Sequence, residues 1–322
     1  MAETDISYHQ QFADDIQEGF SQQPKIISSK YFYDDRGSQL FAEIMNLDEY
    51  YLTDCEYEIF NLQREQITQA FLAGGDGINL IELGAGNGLK TQLLLSALYE
   101  QQADFEYSPI DISEEAMQSL VSNLKARYPN MKVNPLIMDY FHALDVLEEQ
   151  SDKRKIVMFL GANIGNYTHK ESIDLIQQIK SRLQKADMLF IGYDLKKDPR
   201  AILNAYDDAK GVTKAFNLNL LERMNRELGA NFELAAFDHY AIYEPISGEA
   251  RSYLISLKNQ DVYFDALEKT ISFNEWELIH TEISRKFDLQ QIEAMAQETG
   301  FRVVEHFRDK RKFFNDSLWQ FV

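Results

Sequence analysis

The sequence predicts an α/β fold: a parallel sheet covered by helices on both faces, interrupted by a second, smaller domain. Three observations carry this expectation. Short apolar runs alternate with segments of helical spacing from residue 78 to 195, the rhythm then breaks, and it resumes after 285.

INLIELG (78–84) is a strand ending in glycine, and LKTQLLLSALYEQQ after it has helical spacing. FEYSPIDIS (105–113) supplies the next strand and EEAMQSLVSNLKARYP the next helix. KVNPLIMDYF (132–141), KIVMFLGANIGN (155–166) and DMLFIGYDL (187–195) read as further strands. Between the last two, ESIDLIQQIKSRLQ repeats Ile173, Ile176, Ile179 and Leu183 at threes and fours. Strands separated by helices pair in parallel, because each helix carries the chain back across the sheet. Residues 196–285 are richer in helix and turn signals, with NLNLLERMNRELGANF a helix stopped near Gly229. A helix over 286–299 and the strands FRVVEHF and SLWQFV then restore the rhythm. The expected division is 61–195 with 286–322 as the sheet domain, and 1–60 with 196–285 as the smaller one.

The 322 residues are 45% hydrophobic, with 21 Phe and 17 Tyr, ample for a sizeable core. A formal charge of −20 repels phosphate backbones and anionic lipid, which argues against nucleic acid or a membrane as partner and leaves a small molecule. Cys55 is the sole cysteine, so no intramolecular disulfide forms. The start MAETDISYHQ is acidic and polar, unlike a secretory signal, and no run of about 18 apolar residues occurs. A cytoplasmic monomer is the expectation.

Open parallel sheets bind ligands beyond the carboxyl ends of their strands, and ELGAGNGLKT (82–91) lies at such an end. Leu89 stands where a dinucleotide fingerprint needs its third glycine and where a phosphate loop needs glycine before Lys-Thr. The acidic-x-Gly-x-Gly-x-Gly pattern of Glu82, Gly84, Gly86 and Gly88 instead matches methyltransferases that use S-adenosyl-L-methionine. Asp111, at the end of the second strand, suits two ribose hydroxyls. Asp139 and Tyr140 suit adenine, the acid accepting from its amino group and the ring covering its face. Lys90 can complement the carboxylate of the methionine part. The plainer alternatives are helix caps for the aspartates and a solvated charge for Lys90.

KYFYDDRGSQLFAEIMNLDEYYLTDCEYEIF (30–60), ELGAGNGLKT, FLGANIGNYT, AYDDAKGVTKAFNLNLLERMNRELGANF and TEISRKF (281–287) together resemble the histidine-specific Nα-methyltransferases of ergothioneine biosynthesis. The resemblance runs from about residue 25 to 290. It implies a seven-stranded, Rossmann-like S-adenosylmethionine-dependent methyltransferase sheet with a smaller substrate domain. It also implies transfer of three methyl groups to the α-amine of L-histidine, giving hercynine, the trimethylated betaine. By position it implies that Gly84, Lys90, Asp111, Asp139 and Tyr140 hold the cofactor. Tyr50, Asn166 and Tyr206 would surround the amine and carboxylate of histidine, with Tyr33 nearby as the one candidate catalytic group. Glu282 and Ser284 would meet the imidazole, on one face of a strand by alternation. The plainer readings are half-buried aromatics for the three tyrosines and a helix cap for Asn166.

The chain departs from the family pattern at Ser252 and Tyr253, in EARSYLISL, and at Asn163. Those changes leave open an N-methyltransferase for another amino acid or amine. Glu282 with Ser284 favours imidazole over indole, which has a single N–H. A non-catalytic sensor of the methyl donor is the third reading. The six histidines show no metal-binding spacing, so no metal is expected.

Overall fold

The computed structural model describes residues 3–75, 77–150 and 153–322. The opening residues Met1 and Ala2, part of the expected head, lie outside it. The chain forms two compact units, residues 1–51 with 197–284 and residues 52–196 with 285–322.

In chain order the first unit begins with α1 (Glu3–Ser21), β1 (Lys25–Ile26) and α2 (Asp35–Ile44). After α3 (Tyr51–Leu72) the second unit runs β2 (Ile78–Leu83), α4 (Thr91–Glu100), β3 (Phe105–Asp111), α5 (Glu114–Arg127), β4 (Lys132–Val133), β5 (Leu136–Ile137), α6 (Tyr140–Gln150), β6 (Arg154–Phe159), α7 (His169–Lys180) and β7 (Met188–Asp194). The first unit resumes with α8 (Pro199–Tyr206), α9 (Val212–Leu228), β8 (Phe237–Glu244), β9 (Glu249–Ser256), β10 (Gln260–Phe264), β11 (Lys269–Phe273) and β12 (Leu278–Arg285). The second closes with α10 (Leu289–Thr299), β13 (Phe301–Arg308) and β14 (Phe314–Phe321).

The sheet of the second unit has the order β13-β14-β7-β6-β2-β3-β4, with β5 also pairing β3. β4 and β5 both pair with β3, as two pieces of one interrupted edge strand, so the sheet is seven strands wide. Every residue of β2 and β7 is buried, as expected of strands covered on both faces. β3, β2, β6 and β7 pair in parallel, whereas β14 runs antiparallel to both β7 and β13. The chain leaves β2 for β3 on one side and later returns to β6 on the other. The loops after β2 and β6 therefore meet at the reversal of strand order, where such sheets bind ligands.

Two expectations need correction. KVNPLIMDYF is two short strands followed by the first turn of α6. Pro135 lacks the N–H a continuous ladder needs, and the Asp139 carboxylate accepts from Phe141 N at 3.2 Å and His142 N at 3.0 Å, capping that helix. Residues 196–285 contain five strands as well as α8 and α9. β1-β12-β9-β8 form one sheet and β10-β11 an antiparallel pair. β8 mixes buried and exposed positions without clean alternation, which blurs the two-residue period in the sequence. The buried residues of α9, among them Phe216, Leu220, Leu221 and Met224, join Phe12, Phe32, Leu254 and Ile279 in the core of this unit. Gly229 ends α9 at φ 61°, where the sequence places the stop.

Candidate active site

The turn after β2 is built by backbone that only glycine adopts at low cost. Gly84, Gly86 and Gly88 have φ of 75°, 51° and 61°. A Cβ at Gly88 would meet Leu120 of α5 at 2.5 Å, and one at Gly84 would meet the Tyr140 hydroxyl at 2.8 Å. At Gly86 it would meet nothing within 4 Å. Gly88 thus serves helix packing, Gly84 the approach of the Tyr140 ring, and Gly86 faces open space. The Asp111 carboxylate organises this turn, accepting from Gly86 N at 2.8 Å and from Ser113 N at 2.9 Å. A carboxylate has about four lone-pair positions, so acceptor capacity remains for hydroxyl groups. Tyr140 lies edge-on to Phe159, and burial pushes its phenol pKa upward, so it stays neutral. Asp139 is exposed, one oxygen engaged as the α6 cap. An open backbone turn, a carboxylate on the next strand and a ring over the first glycine fit the nucleoside of S-adenosylmethionine.

Glu82, the acid of the glycine motif, is turned inward. It accepts from Thr91 Oγ1 at 2.6 Å and from Tyr107 OH at 2.5 Å, is fully buried, and makes a structural contact under the loop. Burial, opposed by those two hydrogen bonds, pushes its carboxyl pKa up to about 7. Between the ordinary value near 4.5 and about 7, the native chain holds a proton that the unfolded chain has released. Stability therefore falls as pH rises through that window, by about 3 kcal/mol in total. Urea midpoints of wild type and Glu82→Gln between pH 5 and pH 8 are expected to show this extra loss in wild type; parallel slopes would rule it out.

Lys90 does not stand as a solvated charge. Its ammonium is bonded to Glu56 of α3, which also accepts from Gly161 N at 2.8 Å. Gly161 opens the loop after β6 that carries Asn166. Asn166 ends a short 3-10 turn and is not the cap of α7. That role belongs to Thr168, which forms a reciprocal capping box with Glu171.

The remaining candidates lie in the first unit. Glu282 and Ser284 are two apart on β12 and so share a side of the strand. The Tyr206 hydroxyl donates to Ser284 Oγ at 2.7 Å, and Ser252 Oγ lies 3.4 Å from Glu282 Oε2. Tyr206 is itself tied down, its carbonyl 2.8 Å from His239 Nε2. On the opposite side of β12 the neighbouring Thr281 is engaged by Asn217 of α9 and the Ser252 carbonyl, which fixes the strand. Tyr33 is 49% exposed, edge-on to Phe41 and Phe216, while Tyr50 packs edge-on to Phe41. Among the described residues no group of His, Cys, Asp and Glu could hold a metal ion.

Sequence reasoning missed Glu56 and Asp316, which are fully buried beside Lys90. A signal for Glu56 exists. It falls on the apolar stripe of α3 with Leu52, Cys55, Ile59 and Phe60, where an acid needs a partner.

A family model described as histidine-specific methyltransferase, SAM-dependent, matches residues 12–321. The chain is 34% identical over 304 residues to a histidine N-alpha-methyltransferase from Mycolicibacterium smegmatis, covering 94% of this chain and 93% of that protein. It is 32% identical over 304 residues to the protein of that name from Mycobacterium tuberculosis, with the same coverage. Among solved structures, a S-adenosylmethionine-dependent methyltransferase from Clostridium acetobutylicum aligns with 88% of this chain and 98% of its own, at 12% identity and a TM-score of 0.46.

Proposed function

The chain belongs to the histidine-specific, S-adenosylmethionine-dependent methyltransferase family, and from that premise we propose that it methylates the α-amine of L-histidine three times to give hercynine. The observation that carries the substrate assignment is the pair on β12. Tyr206 donates to Ser284 Oγ and so fixes that hydroxyl on the same side of the strand as Glu282, where the serine is assigned to one imidazole nitrogen and Glu282 to the ring N–H. An apolar side chain would desolvate both groups without adding a hydrogen bond to either, a discrimination that shape alone does not supply.

The second unit holds the methyl donor. Gly84 and Gly86 admit it against the backbone, Asp111 accepts from the ribose hydroxyls, and Asp139 and Tyr140 hold the adenine. Lys90 faces the methionine carboxylate. When bound, S-adenosylmethionine supplies an electrophilic methyl on a positively charged sulfur. The chain's task is then to hold an unprotonated amine about 3–3.5 Å from that carbon, in line with the bond that breaks. The family resemblance assigns Tyr50 and Tyr206 of the first unit, and Asn166 of the second, to the amine and carboxylate of histidine, and Tyr33 is assigned to the amine. Aromatic faces at Tyr33 and Tyr50 suit the quaternary nitrogen that forms.

We place this activity in a cytoplasmic monomer. In support, the sole cysteine is buried and in no disulfide, no helix among the described residues is long and apolar enough to cross a membrane, and like chains of charge −20 repel one another.

Mass spectrometry of histidine after incubation with the donor tests the reading. Products bearing one, two and three added methyl groups are expected, the last accumulating. No methylated histidine, with turnover of another amino acid from a panel of twenty, would replace the substrate. Donor binding without any turnover would favour the sensor.

A further inference from the structure

Glu56 reaches from α3 to the two loops at the reversal of strand order. Its Oε2 accepts from Lys90, which follows the glycine turn, and its Oε1 from Gly161 N at 2.8 Å, which opens the loop to Asn166. The carboxylate is fully buried, whereas the Lys90 side chain keeps 24% exposure. The ammonium is thus held from the protein side, at the end of a side chain that keeps part of its surface open. Gly192 of β7 makes room for the arrangement. A Cβ there would lie 2.6 Å from Glu56 Oε1, 3.1 Å from Phe314 and 3.2 Å from Asp316 Oδ1, although its backbone is not in the left-handed region. Among the described residues neither Asp316 oxygen accepts a hydrogen bond, and two facing carboxylates can bond only if one carries a proton. Burial first, and then the Glu56 charge, raise the Asp316 pKa well above the usual carboxylate range. Asp316 is accordingly the member of the pair whose protonated form is favoured, and in that form its O–H can donate to Glu56.

We propose that Glu56 is a positioning residue for the methyl donor, fixing the Lys90 ammonium and the Gly161 N–H against one carboxylate, with Asp316 as its buried partner. This rests on the reading that Lys90 meets the methionine carboxylate. Titratable carboxyl groups from three elements face Lys90: Glu56 on α3, Glu82 on β2 and Asp316 on β14. Of these only Glu56 bonds the ammonium. Loss of its charge leaves a half-buried lysine with no fixed direction.

The test uses two ligands of the 322-residue protein. S-adenosylhomocysteine carries the amino-acid end, and methylthioadenosine carries the nucleoside without it. For Glu56→Gln, the homocysteine ligand is expected to bind about tenfold more weakly by calorimetry while methylthioadenosine affinity stays within about twofold. A merely structural role would weaken both together, and that result, or no change in either, overturns the proposal. Tighter binding of S-adenosylhomocysteine would also overturn it, marking Glu56 as a charge that only competes with the ligand's carboxylate. Lys90→Met separates this proposal from the reading beneath it. If that variant leaves the ratio of the two affinities unchanged, the lysine assignment fails. If it changes the ratio and Glu56→Gln does not, the glutamate assignment alone fails. Should Glu56→Gln fail to fold, Glu56→Asp retains the charge one methylene short. An intermediate, selective loss is then expected, and equal losses overturn the proposal.

Discussion

Glu282→Ala is expected to lower kcat/KM for histidine by about 10³ or more, with S-adenosylmethionine affinity unchanged within about twofold. The size follows from what the substitution leaves behind. The ring N–H of histidine would enter a pocket without its acceptor, and a missing partner in a site built to hydrogen-bond a substrate costs about 10⁴ in favourable cases. Ser252, at 3.4 Å from Glu282 Oε2, is close enough to recover part of the loss through a hydroxyl or water contact, which sets the lower figure. Donor binding is spared because none of the groups assigned to the donor belongs to β12. Steady-state kinetics with calorimetry of donor binding decides it. Undiminished histidine turnover would remove the imidazole assignment, and a parallel loss of donor affinity would show that the strand itself had been disturbed.

Asp111→Ala should weaken S-adenosylmethionine binding by about a hundredfold. Two losses combine here. On the ribose assignment the hydroxyls would lose a charged acceptor, worth roughly 1.5–3 kcal/mol for a hydrogen bond to a charged group. In addition, Gly86 N loses the oxygen that holds it at 2.8 Å, so the glycine turn gives up part of its preorganisation. Asp111→Asn separates the two, since its amide oxygen still accepts from Gly86 N but carries no charge. An affinity between those of wild type and alanine is expected for it. Calorimetry showing full donor affinity in the alanine variant would count against the ribose assignment.

The sheet of the second unit is legible in the sequence because its central strands are buried on both faces and so read as unbroken apolar runs. β2 and β7 are buried at every position. β8 has no such clarity, with buried Phe237 and Ala241 separated by partly exposed residues, and its strand identity emerges only from pairing with β9. The glycines mark the turn after β2 because their φ values demand them. What each side chain touches is a different matter. Glu82 belongs to the motif yet faces Thr91 and Tyr107, and Asp139 spends one oxygen on a helix cap. The Glu56–Asp316 pair joins two residues from near opposite ends of the sequence, and no local pattern brings them together. Family resemblance locates the candidate positions, whereas hydrogen-bond partners depend on tertiary structure.

The place of β14 has a consequence for biosynthesis. Residues 314–321 lie inside the sheet, between β7 and β13, and bury Trp319 completely. A nascent chain still short of residue 314 leaves one edge of β7 bare, with its backbone groups open to strands of neighbouring molecules. The first unit is also split, its opening segment waiting for β12 to emerge before β1 finds its partner. Assembly of both cores thus waits until β12 and β14 have been made. Such long-range closure leaves unpaired strand edges and apolar surface exposed to aggregation while the polypeptide grows.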